Sequence, residues 1–117
     1  MKYRVTITDV ALAAIKEQAT YLAVEKQAPE AAERWLERVL EASDTLGEMP
    51  YRCAHAPENE YVPYEVRWLG VGSFVLLFTI AEDAQIVYVI GARHSRRLPQ
   101  LDELSPELDL LDPRAAR

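Results

Sequence analysis

The chain has 117 residues, of which 50% are hydrophobic and 27% are charged, and its formal net charge is -6 at pH 7. This length and hydrophobic content suit one globular domain that buries a single core without a metal or a disulfide. The negative charge disfavours nonspecific nucleic-acid binding over the whole surface, because that affinity comes from displacing counterions with Lys and Arg. Any contact with RNA or DNA is therefore expected to be local.

The cysteine usage and the N-terminus predict a cytoplasmic protein. Cys53 is the single cysteine and cannot form an internal disulfide, and a lone thiol is ordinary in a reducing compartment. The first eight residues alternate polar and apolar side chains, unlike a signal peptide, and no later run approaches about 18 apolar residues. We therefore expect no export and no membrane insertion. Metal-ligand spacings, P-loops and dinucleotide motifs are also absent from the sequence, so no metal or cofactor is predicted.

The first predicted strand spans residues 2–8. Tyr3, Val5 and Ile7 face one way, and polar residues alternate with them. Such alternation is typical of a strand in a sheet with one buried face and one face in water. We therefore expect the sheet to be covered on one side and open on the other.

Two amphipathic helices are predicted over residues 9–47, joined at Ala28-Pro29. Asp9 is the expected N-cap of the first helix, Pro29 lies in the first turn of the second, and Gly47 is the expected left-handed stop. Their apolar stripes are Leu12, Ile15, Ala19 and Leu22, then Ala32, Trp35, Leu36, Val39, Leu40 and Leu46. The short connection predicts an antiparallel hairpin whose two stripes both face the sheet.

The second half of the chain predicts a loop and three strands. Residues 48–63 contain three prolines and no periodicity, which fits a functional loop and a surface excursion equally well. Residues 73–80 and 86–90 are apolar on both faces, which predicts central strands, and residues 70–73 and 81–85 provide the turns. The prediction is an α+β fold of order β-α-α-β-β-β, with a helical hairpin on one face of a mainly antiparallel four-stranded sheet.

This predicted domain covers residues 1–98 and leaves a polar, acidic tail over residues 99–117. Four leucines recur there at helical spacing, namely Leu101, Leu104, Leu108 and Leu111. The pattern fits a short docked helix and a frayed segment equally well. Before the tail, the last strand ends in Arg93-His94-Ser95-Arg96-Arg97, a cationic cluster on an otherwise acidic chain.

The order and spacing of these segments resemble the RelE/ParE superfamily, the toxins of bacterial type II toxin-antitoxin modules that are often labelled plasmid stabilisation proteins. The resemblance covers roughly Tyr3 to Arg97. The residues that carry it are Pro29-Glu30-Ala31-Ala32, Trp35-Leu36, Leu46-Gly47, Met49-Pro50, Glu65-Val66-Arg67, Gly72-Ser73-Phe74, Leu77-Phe78-Thr79-Ile80, Val87-Tyr88-Val89-Ile90 and the cationic cluster. It implies a toxin that is neutralised by a cognate antitoxin wrapped over its surface.

Two activities follow from the resemblance. RelE-like members enter the ribosomal A site and cut mRNA without a metal, whereas ParE-like members bind and inhibit DNA gyrase and are not enzymes themselves. A third alternative is a non-toxic homologue that retains only its complex-forming surface. The resemblance leaves open whether the chain forms a homodimer or a toxin-antitoxin heterotetramer.

For RNA cutting, the resemblance makes Arg67 and His94 the catalytic candidates. Arg67 matches an arginine that lies near the scissile phosphate, and an imidazole titrates near about 6.5, which suits an acid or base. Val75, however, stands where many members carry a second arginine, and no tyrosine follows the cluster. Glu58 and Glu60 in the loop are also expected to repel RNA phosphates. These departures favour the ParE-like activity.

For gyrase inhibition, Arg93, Arg96 and Arg97 are the predicted target-binding residues. Two other roles for the same arginines stay open. They fit a solvated strand end, and they fit ion pairs with acidic residues of the antitoxin.

Overall fold

A computed structural model describes residues 2–96 of the chain. The tail over residues 99–117, its leucine pattern and Arg97 lie outside these residues. The elements are β1 (Arg4–Ile7), α1 (Asp9–Thr20), a π-helical turn (Tyr21–Glu25), α2 (Pro29–Thr45), two 3-10 turns (Pro50–Arg52 and Pro57–Glu60), β2 (Arg67–Val71), β3 (Phe74–Ala81) and β4 (Ile86–His94).

The four strands form one sheet in the order β1-β4-β3-β2. β1 runs parallel to β4, whereas β3 pairs antiparallel with both β4 and β2. The two strands that are apolar on both faces, β3 and β4, therefore lie in the middle. The predicted α+β class and the order β-α-α-β-β-β are confirmed.

The helical hairpin packs on one face of this sheet. Ile15 of α1 and Val39 of α2 are fully buried in one core with Phe78 of β3 and Val87 of β4. The apolar period of each helix explains this packing, because residues three and four apart share a face. Leu40 departs from the predicted stripe and is 47% exposed.

Both predicted helix ends differ from the sequence expectation. Thr8, not Asp9, caps α1, since its backbone is extended and its Oγ1 accepts a hydrogen bond from the Ala11 N–H at 3.4 Å. At the other end, Gly47 is not left-handed. The Arg52 guanidinium donates instead to the Thr45 and Glu48 carbonyls at 3.4 and 3.0 Å, so a side chain from the following turn satisfies the end of α2.

The second face of the central strands is also covered, so the prediction of an open face is wrong. Residues 48–66, which we call the strap, cross this face and place Ala56 and Val66 over it. They pack in a second core with five strand residues, Val75, Leu77, Ile86, Tyr88 and Ile90. The Val66 N–H donates to Asn59 Oδ1 at 2.8 Å, which holds the strap closed on itself. The loop that lacks sequence periodicity therefore covers the second face of the sheet and contributes to its core.

No helix within residues 2–96 is both long enough and apolar enough to cross a bilayer.

Gly47 is required by close packing rather than by its backbone angle. A Cβ there would lie 3.1 Å from the Tyr3 carbonyl oxygen and 3.2 Å from that of Asp44, both rigid backbone atoms. We predict that Gly47→Ala lowers the free energy of unfolding by about 1–3 kcal/mol. Gly70→Ala is the control, because its Cβ meets only the Trp68 ring at 3.4 Å. Equal stability of the two variants in urea denaturation would contradict this packing.

Candidate partner-binding site at the end of the sheet

The cationic cluster begins where β4 ends, and strand alternation divides it between the two faces of the sheet. His94 pairs with Phe74 and Arg93 pairs with Val75. Since successive side chains of a strand point to opposite faces, His94 lies on the helix side and Arg93 on the strap side. Two neighbours in the sequence therefore have different surroundings.

On the helix side, three rings contact one another in series. Trp35 of α2 meets Phe74 edge-on with ring centroids 5.3 Å apart, and Phe74 meets His94 edge-on at 5.7 Å. The Arg96 N–H donates to His94 Nδ1 at 3.3 Å, and the Ser95 N–H donates to the Ser73 carbonyl at 2.8 Å. These contacts fix the chain just past β4 against the turn between β2 and β3.

A groove of about 390 Å³, lined by both apolar and polar residues, lies beside His94, between α1 and the ends of β3 and β4. The small side chains of Ala13, Ala14 and Ala92 leave this space between the helix and the strand. Val10, Phe74 and His94 complete the lining together with Arg93, and Glu17 and Gln18 contribute polar groups. A groove with this lining suits an apolar stripe on a partner chain, with polar contacts at its edge.

On the strap side, Arg93 is buried against Glu58. Arg93 Nε lies 2.7 Å from Glu58 Oε2 and Nη2 lies 3.1 Å from Oε1, a two-pronged pair. Arg93 is 7% exposed and Glu58 is 0% exposed. This corrects two expectations. Arg93 faces Glu58 rather than a target, and Glu58 is not a surface carboxylate that repels RNA.

Arg67 is held by its own neighbours at the start of β2. Its Nε donates to Glu65 Oε1 at 2.8 Å, its Nη1 donates to the Cys53 carbonyl, and its guanidinium lies 5.2 Å from the centre of the Tyr51 ring. Burial raises the pKa of Glu65, but hydrogen bonds from His55 and Arg67 outweigh it and hold that pKa below its ordinary value. Arg67 thus belongs to a local network of the strap.

The structure does not bring the two catalytic candidates together. Arg67 pairs with Phe78, whereas His94 pairs with Phe74 four positions earlier on β3. At about 3.3 Å per residue this is about 13 Å along the strand, with two strand spacings of about 4.8 Å across. One scissile phosphate cannot contact both side chains in this arrangement.

One cation at this end of the sheet was not found from the sequence. Arg38 of α2 lies over the turn between β2 and β3, with Nη2 3.3 Å from the position of a Cβ on Gly72. Gly72 has a φ of 61°, the left-handed region that favours glycine. The available signal was that Arg38 follows Trp35 by three positions and so shares its side of the helix.

A second polar cluster lies at the opposite end of the sheet. The Tyr3 and Tyr51 hydroxyls both donate to Glu82 Oε1 at 2.7 Å, and Gln85 Nε2 donates to Oε2 at 2.8 Å. The bonds from Tyr3 and Tyr51 hold the pKa of Glu82 below its ordinary value. The bond to Glu82, together with burial, raises the pKa of Tyr51 to about 12. This cluster ties the strap to β1 and to the β3–β4 turn.

Neither end of the sheet gathers metal ligands. Among residues 2–96, no three or more His, Cys, Asp and Glu side chains come close enough to hold a metal ion.

The arrangement of helices and strands is shared with solved toxin-antitoxin structures. The chain is similar to a chromosomal ParDE system from P. aeruginosa, at 19% identity and a TM-score of 0.62, over 80% of this chain and 96% of that one. It is also similar to the archaeal RelE-RelB complex from Pyrococcus horikoshii OT3, at 16% identity and a TM-score of 0.53, over 84% and 100%. At these identities the likeness establishes the fold.

The sequence itself establishes the family. Residues 5–99 match the model of the ParE toxin of the type II toxin-antitoxin system parDE. The chain therefore belongs to the ParE toxin family, within the RelE/ParE superfamily that its sequence resembles. A comparison with curated proteins finds no significant match.

The Glu58–Arg93 pair is predicted to hold the strap on the sheet. Glu58→Gln or Arg93→Met leaves one buried group without its partner, and each should lower the free energy of unfolding by about 3–5 kcal/mol. Glu58→Met combined with Arg93→Met removes both charges and should cost clearly less than the sum of the single changes. Strictly additive losses in urea denaturation would show that the two side chains are not coupled.

The raised pKa of Tyr51 predicts a loss of stability in alkali. The folded chain holds the Tyr51 proton more tightly than the unfolded chain, so the contribution is complete below the ordinary pKa of 10.0 and is lost as pH rises through about 12. Tyr51→Phe should therefore lose less stability between these pH values. Tyr61→Phe removes an exposed hydroxyl that makes no bond to Glu82 and is the control. A tyrosine absorbance titration locates the transition, and the same loss in both variants would contradict the assignment.

Proposed function

We propose that this ParE-family chain is the toxin of a type II toxin-antitoxin pair and that it inhibits DNA gyrase. The observation that carries the proposal is the dispersal of the candidate RNA-cutting groups. Arg67 and His94 are separated by four positions along β3 and lie two strands apart, and Arg93 is neutralised by Glu58 on the strap side. The family assignment supports the toxin role, and this dispersal favours gyrase over mRNA as the target.

RNA cutting places strict demands on geometry. A base must remove a proton from the 2′-hydroxyl, an acid must protonate the leaving oxygen, and cations must lie about 3 Å from the phosphate oxygens. Val75 and Arg93 face each other across β3 and β4. Val75 carries no charge, and the Arg93 guanidinium is already bound to the Glu58 carboxylate. This cross-strand pair therefore supplies no pair of cations for a phosphate.

The proposed partner that neutralises the toxin is a cognate antitoxin. Both similar structures are complexes or systems that include an antitoxin, which motivates this assignment. The groove beside His94 offers apolar contacts, and Arg96, two residues after His94, is exposed to pair with acidic residues. Because gyrase works in the cytoplasm, the proposal also places the chain there.

A supercoiling assay with purified gyrase tests the proposal. The wild-type chain should inhibit supercoiling, and Arg96→Gln with Arg97→Gln should raise the half-inhibitory concentration by about tenfold or more, since a hydrogen bond to a charged group contributes about 1.5 kcal/mol or more. Arg93 stays unchanged in this variant because its side chain supports the fold. Arg4→Gln is the control, since Arg4 is exposed beside Ile86, at the other end of β4.

Two outcomes would replace the proposal, and a third would change the residues assigned to it. Cleaved mRNA in a translation reaction, lost on replacing Arg67 and His94 with Ala, would establish the RelE-like activity. Normal growth on expression of the chain alone would establish the non-toxic alternative. Unchanged inhibition by the Arg96 and Arg97 double variant would remove those arginines from the gyrase contact.

A further inference from the structure

One face of α1 lines the groove beside the point where the chain leaves the sheet. The residues of this face are Val10, Ala13, Ala14, Glu17 and Gln18. They share a face because their spacings are three and four. The two alanines in the middle are small, so another helix can approach α1 closely there. The face is about 12 Å long, at about 1.5 Å per residue.

The acidic tail carries an apolar stripe of matching length. The tail lies outside the described residues, and its sequence places Leu104, Leu108 and Leu111 at spacings of four and three. Ser105 and Pro106 suit the N-cap and the first turn of a helix that begins there. In a helix these three leucines would span about 10 Å, which fits within the face of α1.

The tail also begins next to the groove. His94 lines the groove, and the described part of the chain ends two residues later at Arg96. Eight residue steps separate Arg96 from Leu104, and an extended chain of that length reaches up to about 26 Å. This reach exceeds the length of the groove. A segment tethered so closely competes at an effective concentration on the order of millimolar, an advantage that a separate chain lacks.

The charges of the groove and the tail are compatible with this placement. Glu17 is a carboxylate in the groove lining, so a segment bound there should turn apolar groups toward it. In a helix, Asp109 lies about 100° from Leu108 and about 160° from Leu111, on the side away from the leucine stripe. The tail can therefore direct its leucines, rather than Asp109, toward Glu17. Arg96 is exposed where the tail begins and offers a cation to the tail carboxylates.

We propose that the chain's own tail lies in this groove, with Leu104, Leu108 and Leu111 packed against Ala13 and Ala14 of α1. The groove is then closed while the chain is alone. The match to the toxin family stops before this leucine stripe, so the contact is an addition to the shared domain. It lies within one chain and needs neither gyrase nor an antitoxin, so its failure would leave the proposed function unaffected.

Methyl NMR spectroscopy of the full chain tests this contact. The leucine methyl groups of the tail should show nuclear Overhauser effects to the methyl groups of Ala13 and Ala14. Leu104→Ser combined with Leu108→Ser should lower the ratio of docked to free tail by about tenfold or more and shift both alanine signals, because two buried leucine side chains are lost. Leu110→Ser is the matched control, since Leu110 lies off the stripe and its replacement should leave these signals unchanged. Thermal unfolding of each variant confirms that it is folded.

Three results would overturn the inference. The absence of contacts between the tail leucines and the α1 alanines would leave the groove to a separate partner. Equal shifts of the alanine signals in Leu110→Ser and in the double variant would show that the stripe is not the contact. Contacts that appear between labelled and unlabelled copies, and that disappear on dilution, would assign the groove to the tail of a second copy. The Ala56 methyl signal, from the core under the strap, is the internal reference and should stay constant in every variant.

Discussion

The buried ion pair between Glu58 and Arg93 determines how both faces of this sheet are used. A charge taken out of water is costly unless an opposite charge and hydrogen bonds replace the solvent, and here each side chain supplies both for the other. The pair fixes the middle of the strap to the end of the last strand. That attachment places Ala56 and Val66 over the central strands and completes the second core. The helix side is then the face with a groove beside the strand ends.

This constraint also bears on function. A cationic run at a strand end presents a single binding surface only if its side chains share a face, and strand alternation prevents this for Arg93 and His94. Arg93 stabilises the fold, and His94 joins the ring series toward α2. A guanidinium already bound to a buried carboxylate is a poor phosphate ligand, because a phosphate would have to displace Glu58. Only part of the cationic run is therefore left to contact a partner.

The sequence was a good guide to structure that depends on local period and a poor guide to structure that depends on distant contacts. Apolar residues at spacings of three and four predict both helices, because a period determines which side chains share a face. Continuous apolar runs predict the two central strands. The strap has no period, and its role depends on a contact between residues 58 and 93. The prediction for Gly47 was wrong for a similar reason. Its lack of a side chain avoids a close contact with the Tyr3 carbonyl oxygen and does not end the helix in a left-handed conformation. The hydrogen bonds from Arg52 to the carbonyls at the end of α2 also correspond to no sequence pattern.

The candidate site shows the same division. The cationic cluster can be recognised in the sequence, but its exposed residues form only part of the surface at this end of the sheet. Another part comes from α2, because Trp35 packs on Phe74 and places Arg38, one helical turn later, over Gly72. A binding surface built from a helix, a turn and a strand end has a geometry fixed by the core beneath it. Arg38 and the end of β4 are therefore positioned relative to each other by the packing of Trp35, Phe74 and His94, although they are far apart in the sequence.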